Sequence, residues 1–288
     1  MQEIISFMSD ALTLKGIIHR PDNLEPGERR PAMLVLHGFG TSKEGATSIT
    51  TCEMFADWGY IALRFDFRGC GDSEGKRGRV ICLEEVADTS AALTYLAARD
   101  DVAPQAIGAL GHSFGAAVAV YAGGVDERFA AIISSCGWGH GEKKFRLQHQ
   151  GAAWDEFTDM LARGAEHRKK TGEELWVKRW QIVPIPEHLR DHLVAGSIME
   201  FPVETAASMM AFNAEEVAGQ IAPRPLLLLH ASNDSVTPTP QSIRIFERAG
   251  QPTDLVLVSD VDHWPLAGDR PRARPIIRDW LEAYLPIG

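Results

Sequence analysis

Short apolar runs alternate with segments of helical spacing along most of the chain. Met33-Leu34-Val35-Leu36, Ile61-Ala62-Leu63-Arg64-Phe65, Ala106-Ile107-Gly108-Ala109-Leu110, Ala131-Ile132-Ile133, Leu226-Leu227-Leu228-Leu229 and Leu255-Val256-Leu257-Val258 read as strands with little polar interruption. Helices are predicted between or after them, around residues 49–58, 83–98, 116–122, 240–249 and 275–284. Nearly continuous apolar strands separated by helices indicate a mostly parallel, doubly wound α/β sheet covered on both faces. Residues 3–20 alternate more loosely and predict two antiparallel strands; residues 21–31, rich in Pro, Gly and charge, predict a loop. The regular order stops after Ser134. Residues 139–201 carry many charges and several tryptophans, and predict helices near 153–170 and 187–194. The expected organisation is therefore a core made of residues 1–138 and 202–288, with an inserted helical cap at 139–201.

The ends of the strands hold the candidate chemistry. Gly111-His112-Ser113-Phe114-Gly115 stands between an apolar strand and the small-residue segment Ala116 to Ala122. A strand, a tight turn and a helix with serine at the turn expose the hydroxyl at a helix head, and the flanking glycines give the turn room. A serine hydroxyl needs a base within hydrogen-bond reach, and that base needs a partner to fix its tautomer. In open parallel sheets such groups gather beyond the carboxyl ends of strands. His263 follows the last strand and is the expected general base; Asp234 follows the strand 226–229 and is the expected orienting acid. Asp260 and Asp262 are rivals for that role, but a near neighbour in sequence rarely reaches Nδ1 of its own histidine. His112 is expected to pack beneath the site and His230 to be a buried strand-end residue. The backbone N–H groups of Phe114 and of Phe39, in His37-Gly38-Phe39-Gly40, are placed to hold an oxyanion. Asp66 and Arg68, in the glycine-rich run ending at Ser73, are expected to tie down a loop beside the site.

Composition narrows the partners. The chain has 288 residues, a formal net charge of -10 and four cysteines. The acidic balance disfavours nucleic acid and anionic membranes, and no apolar run is long enough to span a bilayer. Cys52, Cys70, Cys82 and Cys136 match no zinc or redox spacing, and read as buried free thiols of a cytoplasmic protein. The first residues, Met1-Gln2-Glu3-Ile4-Ile5-Ser6, do not read as a secretory signal. His188 and His192 would share a helix face, but no third ligand accompanies them, so no metal is expected. The glycine-rich segments spell neither a phosphate loop nor a dinucleotide fingerprint, and the chemistry requires no cofactor. A homodimer is among the assemblies open to the chain.

The strings H-G-F-G, D-F-R-G-C-G-D-S-E-G, G-H-S-F-G, N-D-S-V-T-P and D-H-W, in this order along the chain, resemble those of α/β-hydrolases. The chain is most similar to microbial carboxylesterases of the feruloyl/cinnamoyl esterase branch, which is related to serine aminopeptidases and dienelactone-hydrolase-like proteins. The matching motifs cover about residues 31–137 and 224–288. The resemblance implies an α/β-hydrolase fold, a triad of Ser113, Asp234 and His263, oxyanion donors at Phe39 and Phe114, and a cap that sets specificity. Serine at position 113 argues against the cysteine of dienelactone hydrolases and the aspartate of dehalogenases. The expected reaction is hydrolysis of a small-molecule carboxylic ester through an acyl-enzyme. Trp138, Trp154, Trp176 and Trp180 are candidates for a pocket wall favouring aromatic or medium-chain esters. The alternatives keep the same groups: an amidase or aminopeptidase, with Glu166, Glu173, Glu174 or Glu187 holding a free amine, or a thioesterase or acyltransferase. A non-catalytic binding protein would be expected to lack one of the three residues, and none is missing.

Overall fold

The computed structural model describes residues 1–268 and 271–287. Two antiparallel strands open the chain, β1 (Gln2–Ser9) and β2 (Leu12–His19), followed by β3 (Arg30–Leu36), α1 (Ala46–Asp57), β4 (Ile61–Phe65), α2 (Cys82–Ala97), β5 (Val102–His112), α3 (Phe114–Val125) and β6 (Ala131–Ser135). An insert then carries α4 (Gly141–Gln148), α5 (Ala152–Thr171), β7 (Trp176–Lys178), α6 (Arg179–Ile182), a 3₁₀ turn at Glu187–His192, β8 (Glu200–Pro202) and α7 (Val203–Ala211). The sheet resumes with β9 (Leu226–Ala231), α8 (Pro240–Arg248), β10 (Thr253–Val258) and α9 (Ala273–Tyr284).

Eight strands form one sheet in the order β1-β2-β4-β3-β5-β6-β9-β10. β1, β2 and β4 pair antiparallel in succession, and every other pairing is parallel. The period-2 alternation of a strand explains why continuous apolar runs are needed. Ala32, Leu34 and Leu36 of β3 pack with α2 and α3 on one face, while Met33 and Val35 pack with α1 and α9 on the other. Leu226 and Leu228 of β9 divide from Leu227 and Leu229 in the same way. Each of these four leucines is buried, a gain of roughly 1.5–3 kcal/mol apiece.

From β3 the chain runs to β4 on one side and then to β5 on the other, so the order reverses between β3 and β5. The crevice beyond the carboxyl ends of strands at such a reversal is where ligands bind in open α/β sheets.

The predicted strands and core helices are present with ends moved by a few residues. The insert differs more. Of the two helices expected there, the one near 153–170 is α5, but in place of the one near 187–194 residues 187–192 form only a tight 3₁₀ turn, and α4, α6 and α7 were not foreseen. β7 and β8 pair only with each other, Val177 opposite Phe201, and three-residue strands are too short to show alternation. The boundary expected at 201/202 falls inside β8, and α7 continues from it to pack on α5.

Candidate active site

The turn after β5 has the strained form that its sequence requires. Ser113 has φ 56° and ψ −115°, a conformation costly for a residue with a Cβ. A Cβ on Gly111 would collide with the Gly115 carbonyl, and one on Gly115 would lie 2.5 Å from the Leu36 oxygen. Glycine at both places lets α3 start directly against β3 and β5. The Ser113 carbonyl accepts from Ala116 and Ala117 N–H. Phe114 is the first residue of α3, so its N–H has no acceptor within the helix and faces the positive end of the helix dipole.

Three side chains meet at this turn. Ser113 Oγ lies 2.9 Å from His263 Nε2, and His263 Nδ1 lies 2.8 Å from Asp234 Oδ2. The Asp234 and His263 side chains are buried, whereas Ser113 keeps part of its surface open. Asp234 Oδ1 accepts the N–H of Val236 at 2.8 Å and of Thr237 at 2.7 Å, which fixes the carboxylate on its loop. Burial opposes the charge on Asp234, but the His263 imidazole and hydrogen bonds from His230 and His263 outweigh it and hold the carboxyl well below its usual range. An ionised Asp234 can only accept, so Nδ1 of His263 carries the proton and Nε2 accepts from the serine.

Asp262 does not approach Nδ1. It accepts from Ser235 N–H and Oγ at 2.8 and 2.7 Å and from its neighbour's N–H, and so braces the Asp234 loop against the His263 loop. Asp260 is exposed and lies 3.6 Å from Arg272. His230 is buried; its Nε2–H donates to Thr237 O at 2.9 Å and lies 3.3 Å from Asp234 Oδ2. His112 packs 5.0 Å from the His263 ring, and burial above all, with the neighbouring His263 imidazole, keeps it strongly biased to the neutral form.

The loop after β3 is held from behind. His37 Nδ1–H donates to the Gly38 carbonyl at 2.9 Å, and Thr41 Oγ1 donates to the same oxygen at 3.0 Å. Phe67 N–H donates to His37 Nε2 at 3.2 Å, which fixes the tautomer. A trans peptide sets the next N–H opposite to its carbonyl, so anchoring Gly38 O turns Phe39 N–H the other way. A Cβ placed on Gly38 would lie 3.8 Å from Ser113 Cβ, which puts this peptide beside the hydroxyl. Below it, Asp66 Oδ1 accepts Lys43 N–H and Asp66 Oδ2 accepts Lys43 Nζ at 2.8 Å, while Arg68 pairs with Asp88 at 2.6 Å.

A cleft with about 70 Å³ of free space opens over Ser113 and His263. Its walls are Phe39 and Thr41 from the core, Val183, Ile185 and Leu193 from the insert, and Trp264. Trp264 stands edge-on to His263 at 4.8 Å and carries His192 stacked on its other side at 4.4 Å. The four tryptophans expected in the wall are elsewhere. Trp138 is buried against Phe114 and Phe212, Trp154 lies under Arg146, Trp180 under Arg190, and Trp176 is 42 % exposed beside Lys76. Long-range packing that composition does not encode took them away from the cleft. His188 and His192 sit on a 3₁₀ turn of three residues per turn, so a four-residue spacing does not align them. Among the described residues, the one group with metal-ligand proximity is Cys136, Asp234 and His263, whose facing atoms lie within 4.8 Å; Asp234 and His263 are already bonded to each other there.

The cleft residues missed from sequence are Arg179, His192, Trp264 and the apolar side chains of the insert. Trp264 had a signal, since it directly follows His263. Arg179 had none: a buried arginine looks like any other charge in a polar segment.

The sheet order, the serine turn and the placement of His263 and Asp234 define an α/β-hydrolase fold. The family model described as serine aminopeptidase, S33 matches residues 27–266. The chain belongs to that family. Among solved structures, the α/β hydrolase GrgF from Penicillium sp. sh18 superposes with a TM-score of 0.80 at 20% identity, covering 99% of both chains. Est1E from Butyrivibrio proteoclasticus with ferulic acid bound gives a TM-score of 0.70 at 18% identity, over 97% of this chain and 98% of that one. By sequence, the polyketide transferase ATR5 of Stachybotrys chlorohalonatus is 24% identical over 269 residues, 88% of this chain and 86% of that protein. Among the described residues, no helix is long and apolar enough to cross a membrane.

Proposed function

We propose that this protein hydrolyses carboxylic esters through an acyl-enzyme. The observation that carries the reading is the continuous relay from Ser113 Oγ to His263 at 2.9 Å and on to Asp234 at 2.8 Å, opening into a cleft. His263 Nε2 takes the serine proton as Oγ bonds to the ester carbonyl carbon. Phe39 and Phe114 N–H hold the resulting oxyanion. The alcohol leaves with the proton from His263. Water, deprotonated by the same imidazole, then cleaves the acyl-serine to release the acid and restore the hydroxyl. The chain and water supply every group in this cycle.

The small, largely apolar cleft favours a compact acyl group over a long one. An aminopeptidase needs an acidic side chain to hold the substrate ammonium, and no Asp or Glu lines the cleft among the described residues. Glu166 pairs with Lys170 on exposed α5, Glu174 pairs with Arg168, and Glu173 is exposed. The cation Arg179 stands in the cleft wall instead, which favours esters over peptides with a free N-terminus. Residues 139–201 act in this reading as the specificity cap, since Val183, Ile185 and Leu193 come from them.

The test uses p-nitrophenyl butyrate and a fluorophosphonate label. Wild-type protein is expected to release p-nitrophenolate and to be labelled at Ser113; Ser113→Ala is expected to do neither while its circular dichroism is unchanged. Turnover by Ser113→Ala at the wild-type rate would refute the assignment.

A further inference from the structure

Arg179 is buried in the wall of the cleft and opens α6, where the insert crosses the loop after β3. Its Nε donates to Ile198 O at 2.9 Å, and its Nη2 donates to Phe39 O at 2.8 Å and Gly40 O at 3.0 Å. The rings of Phe39 and Phe201, stacked at 4.2 Å, lie 5.2 and 5.5 Å from the guanidinium carbon. A Cβ on Gly40 would strike Phe201, so the loop, the ring and the arginine fit only with glycine there.

A guanidinium has five N–H donors in a rigid fork. The three bonds above use Nε–H and both Nη2 protons. Nη1 has no protein acceptor, and no carboxylate lies within ion-pair distance of Arg179, among the described residues. Burial pulls its pKa down only to about 10, so the cation persists at neutral pH. Buried cations are ordinarily matched by an anion, and here the protein supplies only carbonyl dipoles and two aromatic rings.

We infer that Arg179 determines specificity by pairing its Nη1 edge with a carboxylate on the substrate, so that the enzyme prefers esters bearing a second, ionised acid group. This rests on the esterase reading above and names its substrate class. Arg179 hydrogen-bonds Phe39, the residue after Gly38, whose Cα faces Ser113. Ser113 and Arg179 line the same cleft, so one small ligand can meet both. Arginine suits this task better than lysine, because one arm can hold the loop while the other offers its donors to the ligand.

The test is a ratio of kcat/KM between two esters that differ only in charge. On the acyl side, p-nitrophenyl hydrogen glutarate is compared with its methyl-capped form. On the alcohol side, the butyrate ester of 4-hydroxybenzoate is compared with that of methyl 4-hydroxybenzoate. Wild-type protein is expected to favour the ionised member of one pair by about tenfold or more, the size of a single charge-assisted contact. Arg179→Met is expected to slow all substrates, because the loop loses its clamp, and to bring the ratio near one. Arg179→Lys is expected to keep an intermediate ratio. A wild-type ratio of one or less in both pairs, or a tenfold ratio that survives Arg179→Met, overturns the inference. The wild-type ratios decide even if Arg179→Met does not fold. Ser113-dependent turnover of the neutral esters without preference for the ionised ones would sink this inference alone. No turnover of any ester and no fluorophosphonate labelling would sink the esterase reading and this one with it.

Discussion

Changing Asp234 to asparagine removes one charge and adds two protons, and the surroundings dictate where those protons go. Oδ1 of Asp234 accepts two backbone N–H groups, from Val236 and Thr237. Only the amide oxygen of asparagine can replace it there, so the amide nitrogen must take the place of Oδ2, facing His263 Nδ1. An N–H donor at 2.8 Å requires Nδ1 to accept, which drives the imidazole proton to Nε2. Nε2–H then points at Ser113 Oγ and can no longer receive its proton. The fold changes little, because both backbone bonds and the side-chain volume survive. The expected loss in kcat is about 10⁴-fold, or about 5.4 kcal/mol of transition-state stabilisation. A second strain comes from His230, whose Nε2–H already donates to Thr237 and would face the new amide nitrogen at the 3.3 Å separation. Steady-state p-nitrophenyl ester hydrolysis measures the rate, and a high-resolution structure of Asp234→Asn reads the rotamer. A variant retaining more than a tenth of wild-type kcat would refute the tautomer argument and, with it, the role given to Asp234.

Two further outcomes follow from strain and burial. Ser113 at φ 56° stores about 1–3 kcal/mol, of which the greater freedom of glycine in the unfolded chain cancels about 1. Ser113→Gly is therefore expected to be inactive but more stable than Ser113→Ala by about 1 kcal/mol, seen as about 2 °C in Tm; equal or lower stability would refute the strain. For pH, burial lowers the pKa of His37, His112 and His149, and of His19 to about 4. The unfolded chain takes up protons on these rings near 6.5 and the folded chain does not, so their contribution is complete above that pH and is lost as pH falls below it. Asp234, whose pKa is depressed, adds a second loss below its ordinary 3.8. Urea midpoints are expected to decline steadily from pH 7 to pH 4; a midpoint flat to pH 4.5 would contradict the buried neutral histidines.

What could be read from the chain was set by local rules. Ser113, Asp234 and His263 were findable because each lies just beyond a strand that is apolar on both faces. Such strands are visible one at a time without knowing their order. His112 could be set aside because adjacent side chains on a sharp turn point apart, and His230 because it ends a buried strand. The insert lacked such rules. Its strands are three residues long, its 3₁₀ turn has no amphipathic period, and what its residues touch depends on distant partners. Trp138 packs on Phe212 and Trp180 under Arg190 through contacts that no spacing records, whereas Trp264, overlooked in the motif, stands against the histidine. Arg179 is the sharpest case, because its meaning lies in carbonyls about 140 positions away.

That same reach bears on protein engineering. Lids of enzymes built on this sheet invite exchange between homologues, as if they were interchangeable parts. Here the guanidinium fastens the insert to the carbonyl oxygens of Phe39 and Gly40, so a graft without an equivalent side chain would leave those oxygens stranded in a dry interface. Successful chimeras should therefore carry the arginine together with the aromatic ring that covers Gly40.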